Sequence, residues 1–127
     1  MKNKTNGAIF FRNTMVYDKT KSDKFKEAIY NGVDFARENA PQLMVQVFID
    51  EKQGLAYSYQ LYRNSEDILE HWKVSDENIG EVMKYCEVKS LEVYGNPSKE
   101  VIDGIVGAVG EDKVTITPEL CGFHHYE

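Results

Sequence analysis

The sequence predicts a single α+β domain, residues 1–127, in which helices cover one face of a small antiparallel sheet. Stretches with a period of two alternate with stretches whose apolar residues recur every three or four positions, in the order β-α-β-β-α-β. A further helix and strand follow. This order is the split βαβ arrangement of a ferredoxin-like sheet, and 127 residues suit one domain.

The first strand is predicted from Ala8 to Tyr17, where aromatic and β-branched residues dominate and neither face is cleanly polar. Thr20, followed three residues later by Asp23, resembles a helix-capping box. The helix behind it ends before Pro41. Its apolar stripe consists of Phe25, Ala28, Ile29, Val33 and Ala36.

Two strands are predicted next, from Gln42 to Asp50 and from Leu55 to Arg63. The loop between them has hairpin length and ends in glycine, which indicates an antiparallel pair. Tyr57 and Tyr59 share one face of the second of these strands with Arg63.

Two separate helices are predicted after this hairpin. Asn64 or Ser65 caps the first, SEDILEHW, and Ser75 caps the second, DENIGEVMKYCE. Ile68 and Trp72 are expected to point inward from the first helix.

The rest of the chain is predicted as a short strand closed by a turn within 90–97, a helix capped by Ser98 and closed by Gly110, and a brief strand from 114 to 117. Residues 120–126 are expected to be extended as well.

The first three strands carry large apolar or aromatic side chains on both faces, although two helices can cover only one face. A monomer would expose more apolar surface than the few hundred Å² usual for soluble proteins. The sequence therefore predicts a homodimer in which two sheets meet face to face. The tail 113–127 would cover an edge or reach across to the partner.

Charge and composition narrow the range of partners. With 21 acidic and 15 basic residues the net charge is −6, which disfavours nucleic acids and anionic membranes as partners. No run approaches the roughly 18 apolar residues of a membrane span, and no signal peptide is recognisable. Cys86 and Cys121 form no disulfide framework, so a cytoplasmic location is predicted.

No metal or nucleotide motif is recognisable either. His124 and His125 are adjacent, and neighbouring residues of an extended segment point to opposite faces, so no metal is expected there. The sequence contains no GxGxxG, P-loop, GxSxG or HExxH pattern.

The passage AYSYQLYRNSEDILEHW resembles the antibiotic-biosynthesis-monooxygenase group of dimeric α+β-barrel proteins, which show an aromatic strand, then Ser-Glu, then a helical histidine. SLEVYGNPSKEVIDGI and the ending GF are also similar to members of that group. The resemblance implies a homodimer with a pocket between the sheet and its own helices. It also implies oxidation of quinol-like or polyaromatic substrates by dioxygen, with no metal or flavin as cofactor.

The same resemblance suggests site residues. His71 matches the helical histidine and would be the catalytic proton acceptor, because histidine titrates near neutral pH. Asn13, Tyr59 and Trp72 would orient a small aromatic ligand, and Arg63 is a further substrate-binding candidate.

Each of these candidates also has a structural alternative. The alternatives are a rim position for His71, core packing for Trp72, a backbone hydrogen bond for Asn13, a cross-strand aromatic pair for Tyr59 and an ion pair with Glu66 for Arg63.

Two other functions stay open. The first is a non-catalytic ligand-binding or assembly dimer, because a fold does not determine a function. The second is haem binding or breakdown, because IFFRNTMV resembles the first strand of haem-degrading relatives, with Asn13 and Trp72 at matching positions. The sequence departs from those relatives on the next helix, where GEVMKYCE contains no histidine to ligate haem.

Overall fold

Five strands form one sheet in the order β2-β3-β1-β4-β5 in the computed structural model, which describes residues 7–125. The strands are β1 Ile9–Tyr17, β2 Met44–Asp50, β3 Leu55–Tyr62, β4 Cys86–Tyr94 and β5 Val114–Thr117. Neighbouring strands are antiparallel except β4 and β5, which are parallel. The predicted ferredoxin-like sheet is confirmed, and β5 extends it beyond β4.

The three helices are α1 Ser22–Asn39, α2 Ser65–Met83 and α3 Lys99–Val109. Two predicted caps are confirmed. Asn64 accepts a hydrogen bond from the Asp67 amide at 2.8 Å, and Ser98 accepts one from the Val101 amide at 3.3 Å. Gly110 ends α3 with a φ of 95°, which suits glycine because its lack of a Cβ permits positive φ.

The predicted capping box at Thr20 is wrong. The carboxylate of Asp18 accepts from both the amide and the hydroxyl of Thr20, and this fixes a short 3-10 turn over 19–21 ahead of α1. The Thr20 hydroxyl therefore donates to Asp18, and it does not cap the first turn of α1.

The predicted break at Ser75 is also wrong, because α2 runs through it without interruption. Ser75 is 3% exposed and its hydroxyl bonds His71 one turn back, so it satisfies a side chain and caps no helix. The predicted second helix ends early as well: β4 begins at Cys86, four residues before the predicted strand.

Two apolar clusters form the core between the sheet and the helices. The larger one lies beneath α3 and the first turns of α2, and its members are Ile9, Phe11, Tyr62, Ile68, Val88, Leu91, Val93, Val101 and Ile105. The smaller one contains Met15, Tyr17, Phe25 and Ala56. Strand β1 contributes to both clusters, and Asn13 lies between its two contributions.

The opposite face of the sheet carries no helix and exposes aromatic rings. Phe48 is 51% exposed and Tyr94 is 40% exposed, while Tyr59 contacts the rings of Phe10 and Phe48. Arg12 lies above the Tyr57 ring on this face and forms an ion pair with Glu92 at 3.3 Å. We call this surface the open face.

The C-terminal segment joins no strand of the sheet over the part that the structure describes, 118–125. The prediction of an extended element there is not supported as a sheet strand, and its last residue, Tyr126, lies outside the described residues. Leu120 and Phe123 are 77% and 79% exposed. Within residues 7–125, no helix is both long and apolar enough to cross a bilayer.

Candidate functional site

A cavity of about 130 Å³ lies between the sheet and the helices α1 and α2. It occupies the gap between the two core clusters, where β1 turns Asn13 inward instead of an apolar side chain. Aliphatic side chains of β2, α1 and α2 form most of its wall. Its polar lining consists of Asn13, Gln42, Ser58, Gln60, His71 and Ser75, with Asn78 near the α1 side.

His71 and Ser75 form the buried polar pair of this wall. They lie one turn apart on α2, and the Ser75 Oγ is 3.0 Å from the His71 Nδ1. Burial lowers the pKa of His71 to about 4, because the apolar surroundings disfavour the charged imidazolium. His71 is therefore a neutral imidazole at pH 7.

The serine also bears on the tautomer of this imidazole. When Nδ1 carries the proton it donates to the Ser75 hydroxyl, and Nε2 is then free to accept a proton. In the other tautomer the hydroxyl donates to Nδ1 and Nε2 becomes a donor. The pair can thus offer either an acceptor or a donor to a molecule in the cavity.

A chain of hydrogen bonds crosses the floor of the cavity on the β3 side. The Tyr62 hydroxyl donates to the Gln60 Oε1, and the Gln42 Nε2 donates to that oxygen at 2.9 Å and to the Tyr62 Oη at 3.1 Å. The Gln60 Nε2 donates in turn to the Ser58 Oγ at 3.1 Å. Burial raises the pKa of Tyr62, so its hydroxyl stays protonated and available as a donor.

Two buried acceptors of the cavity are left over. Among the described residues, the Asn13 Oδ1 and the Gln42 Oε1 have no hydrogen-bond partner. An unpaired buried acceptor costs roughly 1–3 kcal/mol. A ligand that supplies donors to these oxygens recovers that free energy, so the cavity favours a hydrogen-bonding ligand.

The five site residues predicted from the sequence do not lie together. Asn13 and His71 line the cavity. Tyr59 lies on the open face, where its ring contacts Phe10 and Phe48, so the prediction that it shares a pocket with His71 is corrected. Strand alternation gives the reason: Ser58 and Gln60 face the helices, whereas Tyr57 and Tyr59 point to the open face.

Trp72 and Arg63 are also outside the cavity. Trp72 packs against the larger core cluster and against α3, where its ring closes over Gly104. Arg63 is exposed and pairs with Asp67 at 3.0 Å, one residue beyond the predicted Glu66. Both take the structural alternatives that the sequence left open, apart from this change of ion-pair partner.

Five polar lining residues were missed from the sequence: Gln42, Ser58, Gln60, Ser75 and Asn78. The signal for Ser58 and Gln60 was present, since both share a strand parity with Ala56 and Tyr62, but nothing local indicated that this parity faces the helices. In the described part of the chain, no three His, Cys, Asp or Glu side chains are grouped as metal ligands.

Comparisons with known proteins bear on the fold. No family model matches the chain, and no curated protein matches it. Several solved structures do. MupZ from Pseudomonas fluorescens superposes with a TM-score of 0.73 at 13% identity, over 94% of this chain and 96% of MupZ.

Two further matches carry functional names. A candidate antibiotic biosynthesis monooxygenase from Caulobacter crescentus gives a TM-score of 0.60 at 14% identity, over 71% of this chain and 88% of its own. SnoaB from Streptomyces nogalater, a cofactor-independent oxygenase, gives 0.59 at 5% identity, over 73% and 96%. The chain has the antibiotic biosynthesis monooxygenase-like fold. At these sequence identities the structural similarity establishes the fold but not the activity, which has to be argued from the residues of the site.

Proposed function

We propose that the protein is a cofactor-independent monooxygenase that acts on a small aromatic or quinol-like molecule in the cavity. The observation that carries this proposal is the buried, neutral His71 in a largely apolar cavity between the sheet and its own helices. A base in a dry cavity is what direct reaction with dioxygen requires, because a deprotonated, electron-rich ring can reduce dioxygen itself. The fold shared with SnoaB supports the same reaction class.

In this mechanism the His71 Nε2 accepts a proton from an acidic position of the substrate while Ser75 holds the Nδ1 proton. The resulting anion gives one electron to dioxygen, the two radicals combine to a peroxide, and loss of water leaves a carbonyl. For a hydroxyarene, one ring C–H, the hydroxyl O–H and O₂ thereby become the two C=O groups of a quinone and one H₂O. The substrate anion stabilises the imidazolium beside it and so opposes the lowering of the His71 pKa by burial.

The size of the cavity limits the substrate. An engineered apolar cavity of roughly 150 Å³ holds one benzene ring, so about 130 Å³ accommodates approximately one ring. Larger substrates would extend into the groove between α1 and β2, which borders the cavity at Ile29, Val33 and Val47. A haem macrocycle is far larger than this space, which favours the oxygenase over the haem alternative.

The test is oxygen uptake with a panel of mono- and dihydroxyarenes. We expect His71→Gln to lower kcat at least roughly 100-fold, because general-base catalysis contributes about 10²–10⁴. His125→Gln, in the exposed C-terminal segment, is the matched control and should retain the wild-type rate. Equal rates for wild type and His71→Gln would rule out His71 as the catalytic base, and saturable binding without oxygen uptake would identify a ligand-binding dimer.

We also propose that two copies pair through the open face. This pairing is supported by the exposed rings of Phe48 and Tyr94 and by the exposed Val16 of β1. Light scattering should give twice 14.6 kDa for the wild type. Phe48→Glu places a buried charge in the interface and should shift the mass toward one chain, whereas a wild-type mass of one chain would contradict the pairing.

We place this dimer in a reducing compartment such as the cytoplasm. Cys86 and Cys121 are both outside any disulfide, which supports that location.

A further inference from the structure

The two unpaired polar atoms of the cavity are of one kind. Both the Asn13 Oδ1 and the Gln42 Oε1 are acceptors, and neither residue leaves an unpaired buried donor among the described atoms. Acceptors that face a ligand bind hydroxyl groups and repel carbonyl or ether oxygens, which present lone pairs to them. The cavity therefore has a chemical preference beyond its size and hydrophobicity.

The orientation of the Gln42 amide is set by its hydrogen bonds to Gln60 and Tyr62. Its Nε2 is held by two acceptors, the Gln60 Oε1 at 2.9 Å and the Tyr62 Oη at 3.1 Å. The Gln60 Oε1 also accepts from the Tyr62 hydroxyl, while the amide nitrogen of Gln60 donates to Ser58. With Nε2 occupied, the amide presents its oxygen as the group left for a ligand.

The charge of the wall favours neutral ligands. Among the described residues that line the cavity, His71 is the single titratable one, and burial keeps it neutral. A carboxylate or phosphate bound here would lack a cation to compensate its desolvation. Nearby Lys26 and Arg37 belong to the outer groove and are paired with Glu51 and Asp34.

We propose that Gln42 is a specificity-determining residue: held by Gln60 and Tyr62, it acts with Asn13 to select neutral ring ligands that bear hydroxyl donors over their carbonyl or ether counterparts. This inference rests on the proposed function for the location of the ligand. Both residues line the cavity, and both oxygens are buried without a hydrogen-bond partner among the described residues. Oxidation of a ring hydroxyl to a carbonyl replaces a donor by an acceptor, so an oxidised product is bound more weakly than its precursor.

The test measures affinity without turnover. Hydroquinone, 4-methoxyphenol and 1,4-dimethoxybenzene share one ring and lose one donor at each step. Their dissociation constants are measured by calorimetry under anaerobic conditions, so that binding is separated from oxygen chemistry. We expect the affinity to fall about tenfold for each donor removed, because each loss leaves a buried acceptor unpaired.

Two variants assign the preference to its residue. Gln42→Met keeps the length of the side chain and removes the carbonyl, so one of the two steps should shrink to less than about twofold. Gln53→Leu, in the exposed β2–β3 turn, is the control and should keep both steps. Tyr62→Phe frees the Gln42 amide to rotate and should weaken the discrimination without abolishing hydroquinone binding.

The outcomes separate this inference from the proposed function. Equal affinities across the series, tighter binding of dimethoxybenzene, no binding of any probe, or an unchanged preference in Gln42→Met would each overturn it. A donor preference that depends on Gln42 supports it even if no oxygen is consumed, in which case the oxygenase proposal fails alone. Conversely, His71-dependent oxygen uptake without donor preference overturns only the role of Gln42.

Discussion

Helix α2 meets the sheet in two different ways within two turns. Ile68 is fully buried in the larger core cluster, where Trp72 and α3 add a further layer behind it. His71 and Ser75 face a cavity that α3 does not reach. The comparison teaches that the site arises where the aliphatic side chains packed beneath α2 give way to polar ones.

The largest expected effect separates these two regions directly. Ile68→Ala should lower the free energy of unfolding by roughly 2–5 kcal/mol, because it leaves a cavity among packed neighbours. Ile79→Ala, on the same helix at the cavity rim and 37% exposed, should cost less than about 1 kcal/mol. Urea unfolding of both variants checks this, and similar losses would mean that the cavity end is as tightly packed as the core.

The second prediction concerns the pH dependence of stability. Unfolded His71 takes up a proton below about pH 6.5, whereas the folded state does so only near its pKa of about 4. Its contribution is fully present above pH 6.5 and is lost as the pH falls toward 4, by roughly 3 kcal/mol in total. Urea titrations from pH 7.5 to 4 should show this slope in the wild type and a flatter one in His71→Gln. The same slope in both proteins would contradict the burial of the imidazole.

The third prediction compares two glycines of α3. A Cβ at Gly104 would lie 2.6 Å from the Trp72 ring, whereas one at Gly107 would meet nothing within 4 Å. Gly104→Ala should therefore destabilise the protein by roughly 1–3 kcal/mol through overpacking. Gly107→Ala should stabilise it by up to about 1 kcal/mol, because alanine is the better helix former. Thermal melts of the two variants measure these changes in stability. Stabilisation by both substitutions would show that the Trp72 ring is loosely packed over Gly104.

Much of the fold could be predicted because its signals are local. The period-two stretches became β1 and β3, and the caps at Asn64 and Ser98 formed where Asn and Ser can reach free amides. The predicted helix break at Ser75 was wrong because a serine can cap a new helix or lie within a continuous one, and the local sequence does not distinguish the two. Only the nearby His71 settled which partner its hydroxyl takes.

The candidate site was predicted only in part for a related reason. Asn13 stood out because it is a polar residue among apolar neighbours, and His71 because it matched a helical histidine. Tyr59 was favoured over Gln60 since an aromatic ring suggests a ligand contact, yet the two side chains lie on opposite faces of β3. Gln42 carried no signal at all, because its role depends on Gln60 and Tyr62, which are distant in the chain.

The sequence by itself determined most helices and strands and their order, apart from the continuity of α2 and the start of β4, because hydrophobic periodicity and end caps act between residues a few positions apart. Tertiary structure alone decided which face of β3 the helices cover, and with it that Ser58 and Gln60 line the cavity of His71 while Tyr57 and Tyr59 lie on the open face. Strand alternation is symmetric, so a strand offers both faces equally until other elements pack against one of them.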